Sequence, residues 1–203
     1  MKILVKIVML LAALCISFKM DAKEMESPNY EKYVHEIVDH LVSKMEKKYG
    51  LQCYGSGGSM PNNIEKIDVL FISYRTTTIN EARKMEVSAV QELLHLINAH
   101  EQIRPYLQEH PFGSDRIHLS ISFRTETDDR PIDGSIALVS TVKNNIYYDT
   151  AEIQIEEPTP LIYMNEKKEV VKEWIGGGPK EKLIPLMEET YEEALKLVSL
   201  TDP

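Results

Sequence analysis

A chain of 203 residues with a net charge of −9 and two cysteines is long enough for one well-packed core and has no cysteine framework to replace it. Its acidic surface repels phosphate backbones, and no Lys/Arg stripe with interleaved aromatics offsets that repulsion, which excludes nucleic acid as a partner class. Beyond Phe18 no apolar run approaches the length that spans a bilayer.

The first element in chain order is a leader. Lys2 and Lys6 precede an apolar run from Ile7 to Phe18, which Lys19 and Asp21 follow. Such a run rises about 18 Å as a helix, short of the roughly 30 Å hydrocarbon core. Residues 1–22 are therefore expected to be a signal peptide cut after Ala22, with an uncleaved N-terminal anchor as the alternative. Leu14 stands where a small residue precedes a lipidated cysteine, which speaks against lipidation at Cys15. Export implies a periplasmic or secreted protein with no stable membrane span after cleavage. Removal of the leader leaves residues 23–203 as a single domain with 20 basic and 31 acidic residues, a net charge of −11. Cys53 is then the sole cysteine, read as a small buried strand residue, and no intramolecular disulfide forms.

Ser27 and Pro28 make a cap and first-turn pair for a helix through Tyr49, with Tyr30, Val34, Ile37, Val38, Leu41 and Met45 on one face and Gly50 as the stop. A short strand from Leu51 to Tyr54 is expected to enter a turn from Gly55 to Asn63. Ile64 to Arg75 reads as a longer strand, interior to the sheet because VLFIS is apolar on both faces. Thr78 and Glu81 form a capping box for the longest helix, to about Ala99, with Ala82, Met85, Ala89, Val90, Leu93, Leu96 and Ile97 directed inward. Pro105 sets IRPYLQEHPF apart as a short turn or helix. Ile117, Leu119, Ile121 and Phe123 alternate with His118, Ser120, Ser122 and Arg124, the pattern of a one-faced antiparallel strand. Strands follow at about 135–142 and 146–156, joined at Asn144-Asn145, and a strand pair over 160–174, although EKKEVVKEW also reads as the start of a helix. After GGGP a final helix is expected from about Lys182 to Leu200, with Ile184, Met187, Tyr191, Leu195 and Val198 on its stripe.

The motifs that suggest chemistry fail on spacing. In His35-Glu36-Ile37-Val38-Asp39-His40 the two histidines are about 140° apart around a helix, against about 40° for the i, i+4 pair of a zinc helix. His95 and His100 share that five-residue offset. YGSGGSM lacks the Gly-Lys-Ser/Thr ending of a phosphate loop and the frame of a nucleophile elbow. Gly55, Ser56, Gly57 and Gly58 stay as candidates for a ligand-contacting loop. Glu126, Asp128, Asp129 and Asp133 lack the alternation of a calcium loop and the desolvation that acid/base hydrolysis needs. His100, His110 and His118, with Cys53, form a composite site only if distant segments converge. No metal and no cofactor is expected.

The segment YGLQCYGSGGSMPNNIEKIDVLFISY, then EARKMEVSAVQELLHLINAHEQIRPYLQEHPF and later ETYEEAL, resembles a group of uncharacterised exported proteins of obligate intracellular bacteria. They share the Tyr-Gly-Leu start, the glycine-rich turn, the long helix and the Arg-Pro-Tyr-Leu turn. The resemblance covers roughly 49–123 and the start of the last helix. It implies export and no activity, so no catalytic residue carries over.

Together these readings predict an α+β domain: an antiparallel sheet of five or six strands with three main helices packed mainly on one face. The function expected is that of an exported non-enzymatic binding or interaction protein for a protein or small ligand. An exported hydrolase with a composite His/carboxylate site is the alternative. A deep cleft holding two or more of His100, His110, His118 and Cys53 favours the enzyme, and a smooth open sheet face favours the interaction protein.

Overall fold

Apolar side chains at three- and four-residue spacing fold Asn29–Tyr49 into helix α1 in the computed structural model, which describes residues 29–201. The leader, Ser27 and Pro28 lie outside the described residues. Val34, Ile37, Val38, Leu41 and Met45 are buried along one stripe of α1, while His35, Glu36, Asp39 and His40 are exposed. Next come strands β1 (Gln52–Ser59) and β2 (Lys66–Tyr74), helix α2 (Ile79–Ala99), two single 3-10 turns at Arg104–Tyr106 and Ser114–Arg116, and strand β3 (Ile117–Arg124). Strands β4 (Leu138–Val142), β5 (Asn145–Glu156), β6 (Thr159–Met164), β7 (Val170–Ile175) and β8 (Gly178–Thr190) lead into helix α3 (Tyr191–Thr201).

Six strands form one sheet in the order β1-β2-β3-β4-β5-β8, and β6 pairs with β7 in a sheet of their own. The fold is α+β, the main sheet is mostly antiparallel, and its helices lie on one face. One pair departs from the expectation. β2 and β3 run parallel, Ile67 beside Ile117 and Phe71 beside Ile121, because α2 carries the chain back to the end where β2 began. The alternation in β3 specifies which side chains face the core and is the same for either strand direction.

Helix α2 is the central packing element. Its start is the expected capping box: the Glu81 N–H donates to Thr78 Oγ1, and the Thr78 N–H donates to Glu81 Oε2 at 2.9 Å. Ala82, Met85, Ala89, Val90, Leu93 and Ile97 are buried as anticipated, and Leu96 is half-buried. Glu86 and Val87 are buried as well, since α1 and α3 pack on either side of α2 while it lies on β3 and β4. Arg83 Nε donates to Glu189 Oε1 at 2.7 Å, and the Tyr148 hydroxyl donates to the same oxygen at 2.5 Å, tying α2 to β8 and β5. Breaking that pair from one side strands a mostly buried charge.

Three local assignments differ from the sequence reading. The glycine-rich stretch Gly55 to Gly58 is strand, and the turn begins only after Ser59. A Cβ at Gly58 would lie 2.2 Å from the Lys66 carbonyl oxygen, so glycine serves close strand approach there. A register shift between Cys53 and Gly55 bulges this edge strand. The β4–β5 hairpin turns on Lys143 and Asn144, both with positive φ, one residue earlier than expected. Finally, residues 178–190 are strand rather than helix. Ile184 and Met187 belong to a ladder with β5 that runs from Thr190 opposite Asn145 to Gly178 opposite Glu156. Pro179 and Pro185 are tolerated because β8 is the outermost strand. The helix starts only at Tyr191, through a second capping box in which Thr190 and Glu193 exchange bonds.

Candidate interaction surface

The β5–β8 ladder outruns the rest of the sheet. Ala151 is the last buried residue on β5, and from Glu152 to Lys182 the chain forms a two-stranded ribbon. Its ladder breaks once, at Glu157-Pro158 opposite Gly176-Gly177, and resumes as β6–β7 with Thr159 opposite Ile175. Gly177 sits at φ 82° with its α-carbon against Pro158, where a Cβ would lie 3.0 Å from the proline nitrogen. The tip closes on Asn165, whose Oδ1 accepts from the N–H groups of Lys167 and Glu169, both at 3.0 Å.

Nine of the fifteen large apolar side chains exposed among the described residues lie between Ile153 and Ile175, so the ribbon carries most of the exposed hydrophobic surface. Paired residues share a face. On one face lie Pro160, Ile162, Met164, Val170 and Trp174 with a single charge, Lys172, whose ammonium sits 4.8 Å from the Trp174 ring centroid. The opposite face carries Leu161, Tyr163, Val171 and Ile175, again with a single charge, Glu173, which accepts from the Tyr163 hydroxyl at 2.8 Å. An isolated two-stranded ribbon is marginal in water, and apolar side chains on both faces make the need for a covering surface greater.

The residues singled out from sequence do not gather. Gly55, Ser56, Gly57 and Gly58 form the edge strand β1. His100 caps the end of α2, its Nδ1 accepting from the Ile103 N–H at 3.2 Å and its ring 5.2 Å from that of Tyr33. His110 lies in the loop after the first 3-10 turn. His118 is on the open sheet face, its Nδ1 3.4 Å from Asp68 Oδ1. Cys53 is a half-buried free thiol in β1 rather than a core residue. Among the described residues no three His, Cys, Asp or Glu side chains stand close enough to hold a metal ion.

Clefts lie elsewhere. One of about 400 Å³ sits at the root of the ribbon between Thr76, Arg130, Pro131, Ile132 and Ile153. There Glu181 accepts from the Arg130 N–H at 3.0 Å, while Arg130 Nη1 has no protein partner. Another of about 520 Å³ lies on the open sheet face among Ser140, Tyr147, Asp149, Leu186 and Glu188. Smaller ones, of about 290 and 310 Å³, separate α1 from α2 and α2 from α3. None of these four clefts is lined by His100, His110, His118 or Cys53.

A large electrostatic perturbation is buried, at a residue that lines none of these four clefts. Glu86 is fully enclosed beneath α2, and burial pushes its carboxyl up to about 8, against the opposing hydrogen bond from Thr141 Oγ1 at 2.6 Å. Its second oxygen has no partner. Burial also raises Tyr191, to about 12, and Tyr148 further, with Glu189 adding to the latter. Asp149 is raised by burial, with Arg130 opposing.

Sequence reasoning found the strand pair over 160–174 but attached no function to it. The signal was present: a run of paired apolar residues with no complementary alternation of polar positions. Comparison of the chain with protein-family models, with curated proteins and with solved structures finds no match.

Proposed function

We propose that the chain is an exported, non-catalytic interaction protein whose working surface is the β6–β7 ribbon. The observation that carries this reading is the distribution of exposed hydrophobic surface: apolar side chains occupy both faces of a ribbon of paired strands, while the body buries its own in one core. The apolar run from Ile7 to Phe18 supports export. The hydrolase alternative needs histidines and carboxylates held together at a cleft, and His100, His110 and His118 sit on separate elements outside the four clefts.

The test is affinity capture from the native environment with the exported chain and with a variant in which residues 159–175 are replaced by a two-residue turn. With Glu157, Pro158, Gly176 and Gly177 kept, a six-residue loop then closes the ladder that ends at Glu156 and Gly178. Partners retained by the full chain should be lost from the shortened one, with the unfolding midpoint of the body unchanged. Identical capture by both would remove the ribbon from consideration, and hydrolysis of an ester or peptide substrate abolished by His118→Ala would turn the reading toward the enzyme.

A further inference from the structure

Resting on the reading that the ribbon is the working surface, we propose that its occupant is another copy of the same chain. Ribbons stack face to face with unlike faces together, so that each chain offers one face to each of two neighbours.

The charges select the arrangement. Each face of β6–β7 is apolar around one charge, Lys172 on one side and Glu173 on the other. Stacking like faces sets lysine against lysine or glutamate against glutamate in an apolar contact, where like charges are costly. Stacking unlike faces sets Lys172 of one copy against Glu173 of the next, within one residue's rise. Both charges are held on their own faces by neighbours, Lys172 over the Trp174 ring and Glu173 by the Tyr163 hydroxyl. A contact between unlike faces does not close on itself about a two-fold axis, so the assembly continues beyond a dimer or closes as a ring.

Area points the same way. From Gln154 to Met164 the ribbon is roughly 36 Å long and about 10 Å wide, which gives on the order of 350 Å² per face. A stable interface needs roughly 800 Å² per partner, more than twice what one face supplies, so a lone pair of chains holds weakly and association gains from covering both faces of each chain. Charge balance removes an obstacle. Residues 156–182 carry six glutamates and five lysines, whereas the whole chain carries −9. The ribbon's reach exceeds the Debye length of about 8 Å at physiological salt, so acidic bodies at its base do not oppose the contact between ribbons. A lipid bilayer is the less fitting occupant, because Glu166, Lys167, Lys168 and Glu169 form the tip and would have to enter first.

Trp174 is the only tryptophan, so emission from the unlabelled exported chain reads coverage of this face directly. The expected result is a blue shift of that emission as concentration rises through the micromolar range, accompanied in sedimentation velocity by species larger than a dimer. Lys172→Glu alone, or Glu173→Lys alone, should weaken association on the order of tenfold. An equimolar mixture of the two variants, or the double reversal, should restore it, with urea midpoints showing that all fold. The inference is overturned by a monomer at every concentration, by association indifferent to both reversals, by assembly that stops at two copies and strengthens with Glu173→Gln, or by a blue shift seen only with phosphatidylcholine vesicles. A monomer that still captures partners through residues 159–175 would overturn self-association and leave the ribbon reading standing, whereas capture indifferent to those residues would remove both.

Discussion

Replacing Glu86 by glutamine should stabilise this protein, and by an amount that depends on pH in a stated way. The carboxyl is fully buried, its ordinary 4.5 is raised to about 8, and only one of its oxygens has a partner, Thr141. An acid whose folded-state value is raised holds its proton more tightly when folded. Its stabilising contribution is therefore complete below about 4.5 and is lost as pH rises toward 8, at about 1.4 kcal/mol per pH unit. At pH 7 the unfolded chain has ionised this group and the folded chain has not, which costs the fold about 3 kcal/mol, and the cost levels off near 5 kcal/mol above pH 8. Glutamine keeps the shape, accepts the Thr141 hydroxyl and does not titrate. Urea unfolding of wild type and Glu86→Gln at pH 5, 6, 7 and 8 gives the difference directly, and subtraction cancels groups common to both, including Tyr148, Tyr191 and the Arg83–Glu189 pair. The gain should be below about 1 kcal/mol at pH 5 and about 3 kcal/mol at pH 7. A difference that is flat with pH, or a glutamine variant less stable than wild type at pH 7, would refute the claim that the folded protein keeps this carboxyl neutral.

Truncating Leu93 to alanine beneath the centre of α2 should cost about 2 to 5 kcal/mol, while His95→Ala on the exposed side of the same helix should cost less than about 0.5 kcal/mol; chemical denaturation measures both. Thr190→Ala removes one half of the α3 capping box and should lower stability by about 1 kcal/mol in the same assay. Gly58→Ala drives a Cβ into the Lys66 carbonyl and should lower the melting temperature by several degrees, unlike Gly57→Ala, whose Cβ meets nothing. Residues 1–30 fused to a reporter active only outside the cytoplasm should switch it on, and a silent fusion would remove the export reading.

Where local chemistry and periodicity agreed, the sequence was sufficient. Thr78 and Glu81 marked the start of α2, and the apolar stripe through Leu93 and Ile97 marked its buried side. Legibility failed where two periods fitted the same residues. Ile184, Met187 and Tyr191 satisfy a helical stripe, yet Ile184 and Met187 sit in β8, because pairing with β5 over its whole length outweighs propensity. The Thr190–Glu193 box was the local sign that the helix begins later. Glu86 illustrates a different limit. On the pattern of α2 it is one more polar position, and the packing of α3 beside the helix together with β4 beneath it, where Thr141 bonds it, encloses it. The ribbon's strands were legible because hairpin pairing is local, whereas its freedom from the body is a property of the surroundings, which periodicity does not encode.

The prolines of the outer strand have a consequence for how copies of this protein can add to one another. Growth by hydrogen bonding, rung after rung, requires a free edge that offers donors and acceptors in alternation. Pro179 and Pro185 on β8 and Pro160 on β6 hold no amide hydrogen, so a strand arriving there meets missing rungs. At the far edge, the bulge between Cys53 and Gly55 throws an incoming strand out of step. On β8, β6 and β1 the exposed edges are thereby interrupted against rung-by-rung extension, whereas β7, Val170–Ile175, carries no proline and keeps its full set of amide hydrogens.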